Sequence, residues 1–173
     1  VTAVVCQPDK PVGRKKTPQS PPVKAWAEQK RIPVNQPTRM NDGTFETWLR
    51  NEKPDVCVLV AYGRILRQAI LDVPTHGFIN VHPSLLPRHR GPSPIHTAVL
   101  EGDTETGVTI MKLDSGTDTG DILLQQRIPL PPIATTLEMA ADLAILGGEM
   151  VLDALKLVDA GTAVFVKQDD SLA

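Results

Sequence analysis

The sequence has 173 residues, which is about the length of one ordinary domain. A formal net charge of −2 argues against a broad basic surface for nucleic acid but leaves room for a local basic patch. No apolar run approaches the roughly 20 residues of a membrane helix. The two cysteines lie in apolar runs and predict buried free thiols rather than a zinc site.

The first half of the sequence alternates predicted strands with predicted helices. Strands are predicted at 1–6, 32–37 and 54–62, and helices at 23–30, 44–53 and 63–71. A Pro-rich basic loop is predicted at 7–22. This alternation indicates right-handed βαβ units, and so an α/β fold of Rossmann type with a mainly parallel sheet and helices on both faces. Because the sequence opens inside a strand, we expect it to be incomplete at its N-terminus.

The second half predicts an antiparallel extension of that sheet. Residues 77–82 form the next strand and 93–102 a helix. Two further strands, at 106–113 and 121–130, are joined by the acidic turn 114–121. Thr135 and Glu138 have the spacing of a capping box, which opens a long helix to about Asp159. A last strand is predicted at 163–167 and a linker at 168–173.

Two polar side chains end the strand at 77–82. Asn80 and His82 are two residues apart, so they project from the same face of the strand. Ligands of open parallel sheets bind beyond the carboxyl ends of the strands, where these residues lie. Pro83 and Pro87 stiffen the loop that follows. The pair is therefore a candidate site. The alternative is that both side chains only form hydrogen bonds within the protein at the end of the strand.

The acidic turn "DSGTDTGD" offers a carboxylate to that site. Calcium is one interpretation, but an EF-hand loop needs an oxygen ligand at its third position and Glu at its twelfth. Counted from Asp114, those positions hold Gly116 and Gln125. A carboxylate brought close to a histidine is the more favoured interpretation.

Three other patterns in the sequence are typical of other kinds of site. His82, His89 and His96 are seven residues apart, but the intervening prolines exclude one continuous helix. A hydrolase that uses Ser84 and His82 has no G-x-S-x-G turn to support it. A basic segment is either a solvated loop or a clamp for a nucleic-acid backbone, and it contains Lys10, Arg14, Lys15 and Lys16.

Four segments carry a family resemblance over about residues 6–170: "QPDKPVGRKKTPQSPPVKAWA", "PDVCVLVAYGRIL", "GFINVHPSLLPRHRGPSPIHTAVLEGDTETGVTIM" and "LDSGTDTGDIL". Together they resemble the 10-formyltetrahydrofolate-dependent formyltransferases, and within that family the methionyl-tRNA formyltransferase branch more than the glycinamide ribonucleotide branch. The resemblance implies the formyltransferase fold. It also implies an enzyme that transfers a formyl group from 10-formyltetrahydrofolate to the amino group of initiator methionyl-tRNA. We expect a monomer in a bacterial-type cytoplasm, with an organellar location left open, and neither a metal nor a membrane as partner.

The resemblance also implies roles for individual residues. Asn80, His82 and Asp118 would be catalytic: Asn80 and a charged His82 stabilise the oxyanion, while Asp118 keeps His82 charged and helps to move the amine proton. The tetrahydrofolate site would be lined by Ser84, Leu85, Leu86 and Pro87. The pterin would be flanked by Arg64, Ile65, Leu66 and Asp114. The acceptor stem of the tRNA would contact Lys10, Arg14, Lys15 and Lys16.

Two departures from the family pattern bear on the domain organisation. The family's first strand and helix are missing before Val1, and its C-terminal β-barrel is missing after Ala173. We therefore assign 1–167 to an N-terminally incomplete catalytic domain and 168–173 to the start of a linker. Two other functions stay open at this point, a sugar-nucleotide amine formyltransferase and a folate-binding module without catalysis.

Overall fold

The structure, a computed structural model, describes residues 1–12 and 17–173. The chain forms two compact units, one of Val1–Asp55 with Tyr62–Thr75 and one of Val56–Ala61 with His76–Ala173. None of the helices in the described ranges combines the length and the hydropathy that a bilayer crossing requires.

The first unit contains two small sheets. Strand β1 (Val4–Val5) pairs in parallel with β4 (Val34–Asn35), and helix α1 (Pro22–Gln29) lies between them in the sequence. Strands β2 (Lys10–Val12) and β3 (Thr17–Gln19) form an antiparallel pair. The prediction of a Pro-rich basic loop throughout 7–22 was therefore wrong for the residues of these two strands.

Two further helices belong to the first unit. Helix α2 (Thr44–Glu52) follows Gly43, whose φ of 82° is in the left-handed region that favours glycine. Helix α3 comprises only Gln68–Leu71, although the sequence predicted a helix over 63–71. Gly63 has a φ of 69°, in the left-handed region, so its backbone does not continue into an α-helix. The side chain of Arg64 donates to Gln7 Oε1 at 3.0 Å and to the Thr38 carbonyl at 3.1 Å.

The second unit is built on a four-stranded sheet in the order β5-β6-β7-β8. The strands are β5 (Cys57–Val60), β6 (Phe78–His82), β7 (Glu105–Lys112) and β8 (Ile122–Pro129). The pair β5–β6 is parallel, whereas β6–β7 and β7–β8 are antiparallel. The parallel pairs and the antiparallel extension confirm the predicted α/β class.

One face of this sheet is apolar and is covered by helix α5 (Thr136–Asp159). The capping box that opens α5 is present: the Thr135 hydroxyl accepts from the Glu138 N–H, and the Glu138 carboxylate accepts from the Thr135 N–H. The core contains Ile79, Val108, Ile110, Met139, Leu143, Leu146, Met150 and Ala154. Helix α4 (Pro94–Glu101) adds Ala98 to the same core. The opposite face of the sheet carries the polar side chains of Asn80, His82 and Thr109.

The last predicted strand, at 163–167, is reduced to one bridge between Val166 and Ile122. Val166 and Ile122 exchange two backbone hydrogen bonds of 2.8 Å. Val164 and Val166 are 73% and 62% exposed, whereas Ala163 and Phe165 of the same segment pack against the core. A short 3₁₀ helix, Asp170–Leu172, follows.

Candidate active site

The site lies at the carboxyl end of β6. Asn80 and His82 are 6% and 5% exposed, and the pleat places both on the face opposite α5. They pair across the sheet with Met111 and Thr109 of β7. Two polar side chains are thus buried side by side where the strand ends.

Asp118 approaches this pair from the acidic turn between β7 and β8. Its Oδ1 accepts from Asn80 Nδ2 at 3.3 Å, and its Oδ2 accepts from the Gly91 N–H at 2.9 Å. The same Oδ2 is 3.6 Å from His82 Nδ1. The structure therefore brings together the three side chains that the sequence singled out as catalytic.

The protonation pattern of His82 follows from its other ring nitrogen. His82 Nε2 lies 2.9 Å from the carbonyl oxygen of His89. A carbonyl only accepts hydrogen bonds, so Nε2 carries a hydrogen and donates it. Nδ1 is the ring nitrogen that faces the carboxylate of Asp118.

Two features of the acidic turn fix the position of Asp118. The Asp114 carboxylate accepts from the Gly116 N–H at 3.0 Å and from the Thr119 hydroxyl at 2.9 Å, which closes the turn. A Cβ at Gly120 would lie 1.8 Å from the Lys112 carbonyl oxygen, so no larger residue fits there. The bonds of Asp114 lie within the turn, and its contact with a pterin stays a prediction.

A network beneath the loop after β6 ties it to the neighbouring strands. Thr109 is fully buried; its hydroxyl donates to the Ser84 carbonyl at 2.7 Å and accepts from the Leu86 N–H at 3.2 Å. Gln125 Nε2 donates to the Leu86 carbonyl at 2.8 Å, and the Ser84 hydroxyl donates to the Arg88 carbonyl at 2.7 Å. The loop is therefore anchored through its backbone groups and through the hydroxyl of Ser84.

The four side chains predicted to line the folate site differ in exposure. Ser84 and Leu86 are buried, at 0% and 3% exposed, whereas Leu85 and Pro87 are half-buried. A Cβ at Gly107 would lie 2.6 Å from Leu85 Cδ2. The lack of a side chain at residue 107 therefore makes room for the side chain of Leu85. The peptide bond between Leu86 and Pro87 is cis.

The remaining predicted folate residues belong to the first unit. Arg64 is engaged by Gln7 and Thr38, as described above. Ile65 is 89% exposed, whereas Leu66 is 9% exposed and belongs to the buried core. Their contact with the pterin stays a prediction.

Of the four residues predicted to bind tRNA, the structure describes one, Lys10. Lys10 is exposed at the start of β2. Arg14, Lys15 and Lys16 lie outside the described residues. The hairpin base is anchored by Asp9, which accepts from Gln36 Nε2 at 2.7 Å and from Lys24 Nζ at 2.8 Å. These two hydrogen bonds, the one from Gln36 first, lower the pKa of Asp9.

A charged cluster supports the loop from its outer side. His89 Nε2 donates to Asp103 Oδ2 at 2.7 Å, and Arg88 Nη2 lies 2.9 Å from Asp103 Oδ1 and 3.5 Å from Glu101. Burial alone would raise the pKa of Asp103, but the bond from His89 and the charge of Arg88 outweigh it and hold the pKa below its usual range.

Within the described part of the chain, His89, Glu101 and Asp103 are the one grouping with the spacing of metal ligands. Arg88 already supplies a cation to both carboxylates there.

Three residues of the site were missed by the sequence analysis. Thr109 and Gln125 are polar residues in strands, and alternation in β7 would have placed Thr109 on the face of Asn80 and His82. Gln168 was assigned to a linker, yet it is 6% exposed and donates to the Asp118 carbonyl at 2.9 Å. No local signal marks Gln168, because its partner lies 50 residues away in the sequence.

Comparison with known proteins identifies the family. The profile described as "Formyl transferase" matches residues 1–155. The chain belongs to the formyl transferase family. It is 49% identical over 173 residues to the methionyl-tRNA formyltransferase of Anaeromyxobacter sp. (strain K), which covers all of this chain and 55% of that relative. It is 47% identical over 171 residues to the methionyl-tRNA formyltransferase of Moorella thermoacetica, which covers 99% of this chain and 55% of that relative. The chain therefore spans about half the length of the curated relatives it matches.

A solved structure of the family agrees on the fold. The formyltransferase PseJ from Anoxybacillus kamchatkensis, in complex with UDP-4,6-dideoxy-4-formamido-L-AltNAc and tetrahydrofolate, is similar with a TM-score of 0.70 at 24% identity. The match covers 97% of this chain and 82% of that one. At this identity the likeness shows the shared fold.

Proposed function

We propose that this chain carries the catalytic centre of an enzyme that transfers a formyl group from 10-formyltetrahydrofolate to the amino group of initiator methionyl-tRNA. The observation that carries the proposal is the meeting of Asn80, His82 and Asp118 in a chain of this family. Relatives that are 47% and 49% identical and named methionyl-tRNA formyltransferase support the choice of acceptor.

In the proposed reaction, Asn80 stabilises the charge that develops on the formyl oxygen. Attack of the amine on the formyl carbon forms the new C–N bond and moves the carbonyl π electrons onto oxygen. An amide nitrogen carries two hydrogens, and the bond to Asp118 uses one of them. The other is able to donate to the oxyanion. Because Asn80 is buried, such a donor acts in a medium of low dielectric constant, where it stabilises charge more than it would in water.

In the same proposal, Asp118 handles the proton and keeps His82 charged. The attacking amine must lose a proton as its nitrogen gains a bond to carbon. The Asp118 carboxylate takes that proton, directly or through one water, while the charge of His82 adds to the stabilisation of the oxyanion. The amine nitrogen of the departing folate takes a proton as the old C–N bond breaks. No covalent bond to the protein is needed.

The loop after β6 has the chemistry that a folate needs. The half-buried Leu85 and Pro87 offer apolar surface next to His82, and the network around Thr109 keeps the loop backbone in place. We propose that Ser84, Leu85, Leu86 and Pro87 hold the folate, with Arg64, Ile65, Leu66 and Asp114 beside the pterin. The bound folate supplies the formyl group, and the side chains of the protein supply orientation and charge.

The basic segment near the start of the chain is our candidate for binding the tRNA acceptor. We propose that Lys10, Arg14, Lys15 and Lys16 contact the phosphate backbone of the tRNA acceptor stem. We also propose that residues 1–167 belong to the catalytic domain and that a linker starts within 168–173, after Gln168, which is buried against the site. We also propose that the protein works as a monomer in a bacterial-type cytoplasm.

Acceptor competition tests this function. The complete protein is assayed with 10-formyltetrahydrofolate and either methionyl-tRNA or an amino-sugar nucleotide. We expect formylation of methionyl-tRNA, and reversing the charges of Lys10 and Arg14–Lys16 should reduce it at least about tenfold by removing phosphate contacts. Charge reversal at the exposed pair Asp153 and Lys156 of α5 is the matched control.

Each other outcome selects a different function. Formylation of the amino sugar alone, unaffected by the hairpin charges, would make the protein a sugar-nucleotide amine formyltransferase. Binding of folate with no transfer to either acceptor would make it a non-catalytic folate-binding protein.

A further inference from the structure

A buried glutamine near the end of the chain is bonded to the turn that carries Asp118. Gln168 is 6% exposed and follows Val166 by two residues. The two backbone hydrogen bonds between Val166 and Ile122 fix this segment against the start of β8. The backbone next to Gln168 is therefore fixed, and the side chain extends from it into the site.

The side chain of Gln168 uses all its hydrogen-bonding groups. Nε2 donates to the carbonyl oxygens of Asp118 and Gly120 at 2.9 and 2.7 Å. Oε1 accepts from Arg90 Nε at 3.0 Å and from Arg90 Nη2 at 2.8 Å. Since carbonyls only accept and a guanidinium only donates, the partners fix which amide atom is oxygen and which is nitrogen.

These bonds act on both segments that determine where the Asp118 carboxylate lies. Asp118 has a φ of 51°, in the left-handed region that is unfavourable for residues other than glycine. Gln168 holds the carbonyl of this residue. Through Arg90 it also holds the residue next to Gly91, whose N–H donates to Asp118 Oδ2. One side chain thus couples the turn bearing the carboxylate to the loop that binds it.

We propose that Gln168 is a positioning residue for the formyl transfer, which acts by holding Asp118 at its distance from His82 and Asn80. This inference rests on the proposed function. Gln168 has no place in the predicted folate surface. Its loss should therefore affect the chemical step and leave folate binding unchanged.

The test measures kcat and KM of the complete protein after Gln168→Leu. We expect kcat to fall by about 10- to 100-fold, the effect of displacing a reacting group by about 1 Å. KM for 10-formyltetrahydrofolate should change by less than about twofold, since no ground-state contact is lost. Asp170→Ala is the matched control: it removes a 74% exposed carboxylate from the same Arg90, so kcat should stay within about twofold.

A double-mutant cycle separates positioning from general support of the fold. With Asp118→Asn already present, adding Gln168→Leu should cost little more, because the group that it positions is gone. An equal loss of kcat in both backgrounds would overturn the inference, and so would a folded Gln168→Leu protein with wild-type kcat.

A second variant decides the question if Gln168→Leu does not fold. Gln168→Glu keeps the length of the side chain and the bonds from Arg90, but a carboxylate has no hydrogen to donate to the two carbonyls. The same loss of kcat is expected, and wild-type kcat overturns the inference. A wild-type protein that formylates neither acceptor would contradict the proposed function, whereas an active wild type with an equally active Gln168 variant contradicts only the positioning role.

Discussion

His82 and Asp118 face each other with Nδ1 and Oδ2 3.6 Å apart, while His82 Nε2 donates to the His89 carbonyl at 2.9 Å. The hydrogen bond to the His89 carbonyl determines which ring nitrogen of His82 faces Asp118. Because a carbonyl oxygen only accepts hydrogen bonds, Nε2 carries a hydrogen and Nδ1 is the nitrogen on the side of the carboxylate. The ring is therefore oriented by the backbone of the loop, with Nδ1 turned toward Asp118.

Thr109 should control both the stability of the protein and the shape of the loop after β6. Thr109→Val removes the acceptor of the buried Leu86 N–H and the donor to the Ser84 carbonyl. We expect the free energy of unfolding to fall by about 1–3 kcal/mol, because a buried N–H loses its partner. KM for the folate should rise if the loop binds it. Urea unfolding and steady-state kinetics measure the two effects. The exposed Thr104→Val is the control, and an unchanged urea midpoint for Thr109→Val would refute the structural role.

Two adjacent glycines of α5 should respond to alanine with opposite signs. A Cβ at Gly147 would lie 2.8 Å from Val81 Cγ1 in the core, whereas a Cβ at Gly148 would meet nothing within 4 Å. Gly147→Ala should lower the free energy of unfolding by about 1–3 kcal/mol through overpacking. Gly148→Ala should raise it by about 0.5–1 kcal/mol, because alanine favours the helix. Thermal unfolding of the two variants measures the difference, and equal shifts would contradict the packing of α5 on β6.

Asp103 should contribute to stability in acid. Its pKa is below the usual range in the folded protein, so its contribution is complete above the unfolded value of about 3.9 and is lost as the pH falls through the folded pKa. Asp103→Asn should therefore destabilise the protein at neutral pH, by about 1 kcal/mol. The destabilisation should shrink toward pH 3.

Urea midpoints at pH 7 and pH 3 measure this change. Asp142→Asn, on the exposed side of α5, serves as the control. A destabilisation by Asp103→Asn that is the same at both pH values would show that the charge of Asp103 has no part in it.

The two cysteines should react slowly in the folded protein. Both are free thiols; burial raises the pKa of Cys57 to about 11 and raises that of Cys6. At pH 8 the thiolate fraction of Cys57 is then about a hundredfold below that of an ordinary cysteine. Alkylation by iodoacetamide at pH 8 should be slow in buffer and rapid in urea. Labelling of Cys57 in buffer at the rate of free cysteine would contradict its burial.

The parts of the structure that were predicted from the sequence depend on local rules. Alternation placed Asn80 and His82 on one face, because the side-chain period of a strand is fixed. The capping box of Thr135 and Glu138 was predicted correctly, because its two bonds join residues three apart. The antiparallel extension followed from two strands joined by a short acidic turn.

The parts that were missed depend on contacts between distant residues. The helix predicted at 63–71 starts only at Gln68, and the side chain of Arg64 bonds to Gln7 and Thr38, which are 57 and 26 residues away. Gln168 was assigned to a linker because its partners, Arg90 and Asp118, are 78 and 50 residues away. The chemical roles of Asn80, His82 and Asp118 stay predictions, since geometry brings the groups together but does not measure turnover.

Replacement of Asp118 tests the central claim most directly. Asparagine keeps the shape of the side chain and tolerates the left-handed backbone at this position, so Asp118→Asn removes the charge and one of the two accepting oxygens. Formyl transfer to methionyl-tRNA by the complete protein is measured for Asp118→Asn and for Asp121→Asn, an exposed aspartate of the same turn. We expect kcat to fall about 100- to 10,000-fold for Asp118→Asn, as for the loss of a general base, and to stay near wild type for Asp121→Asn. A folded Asp118→Asn protein with wild-type kcat would contradict the account.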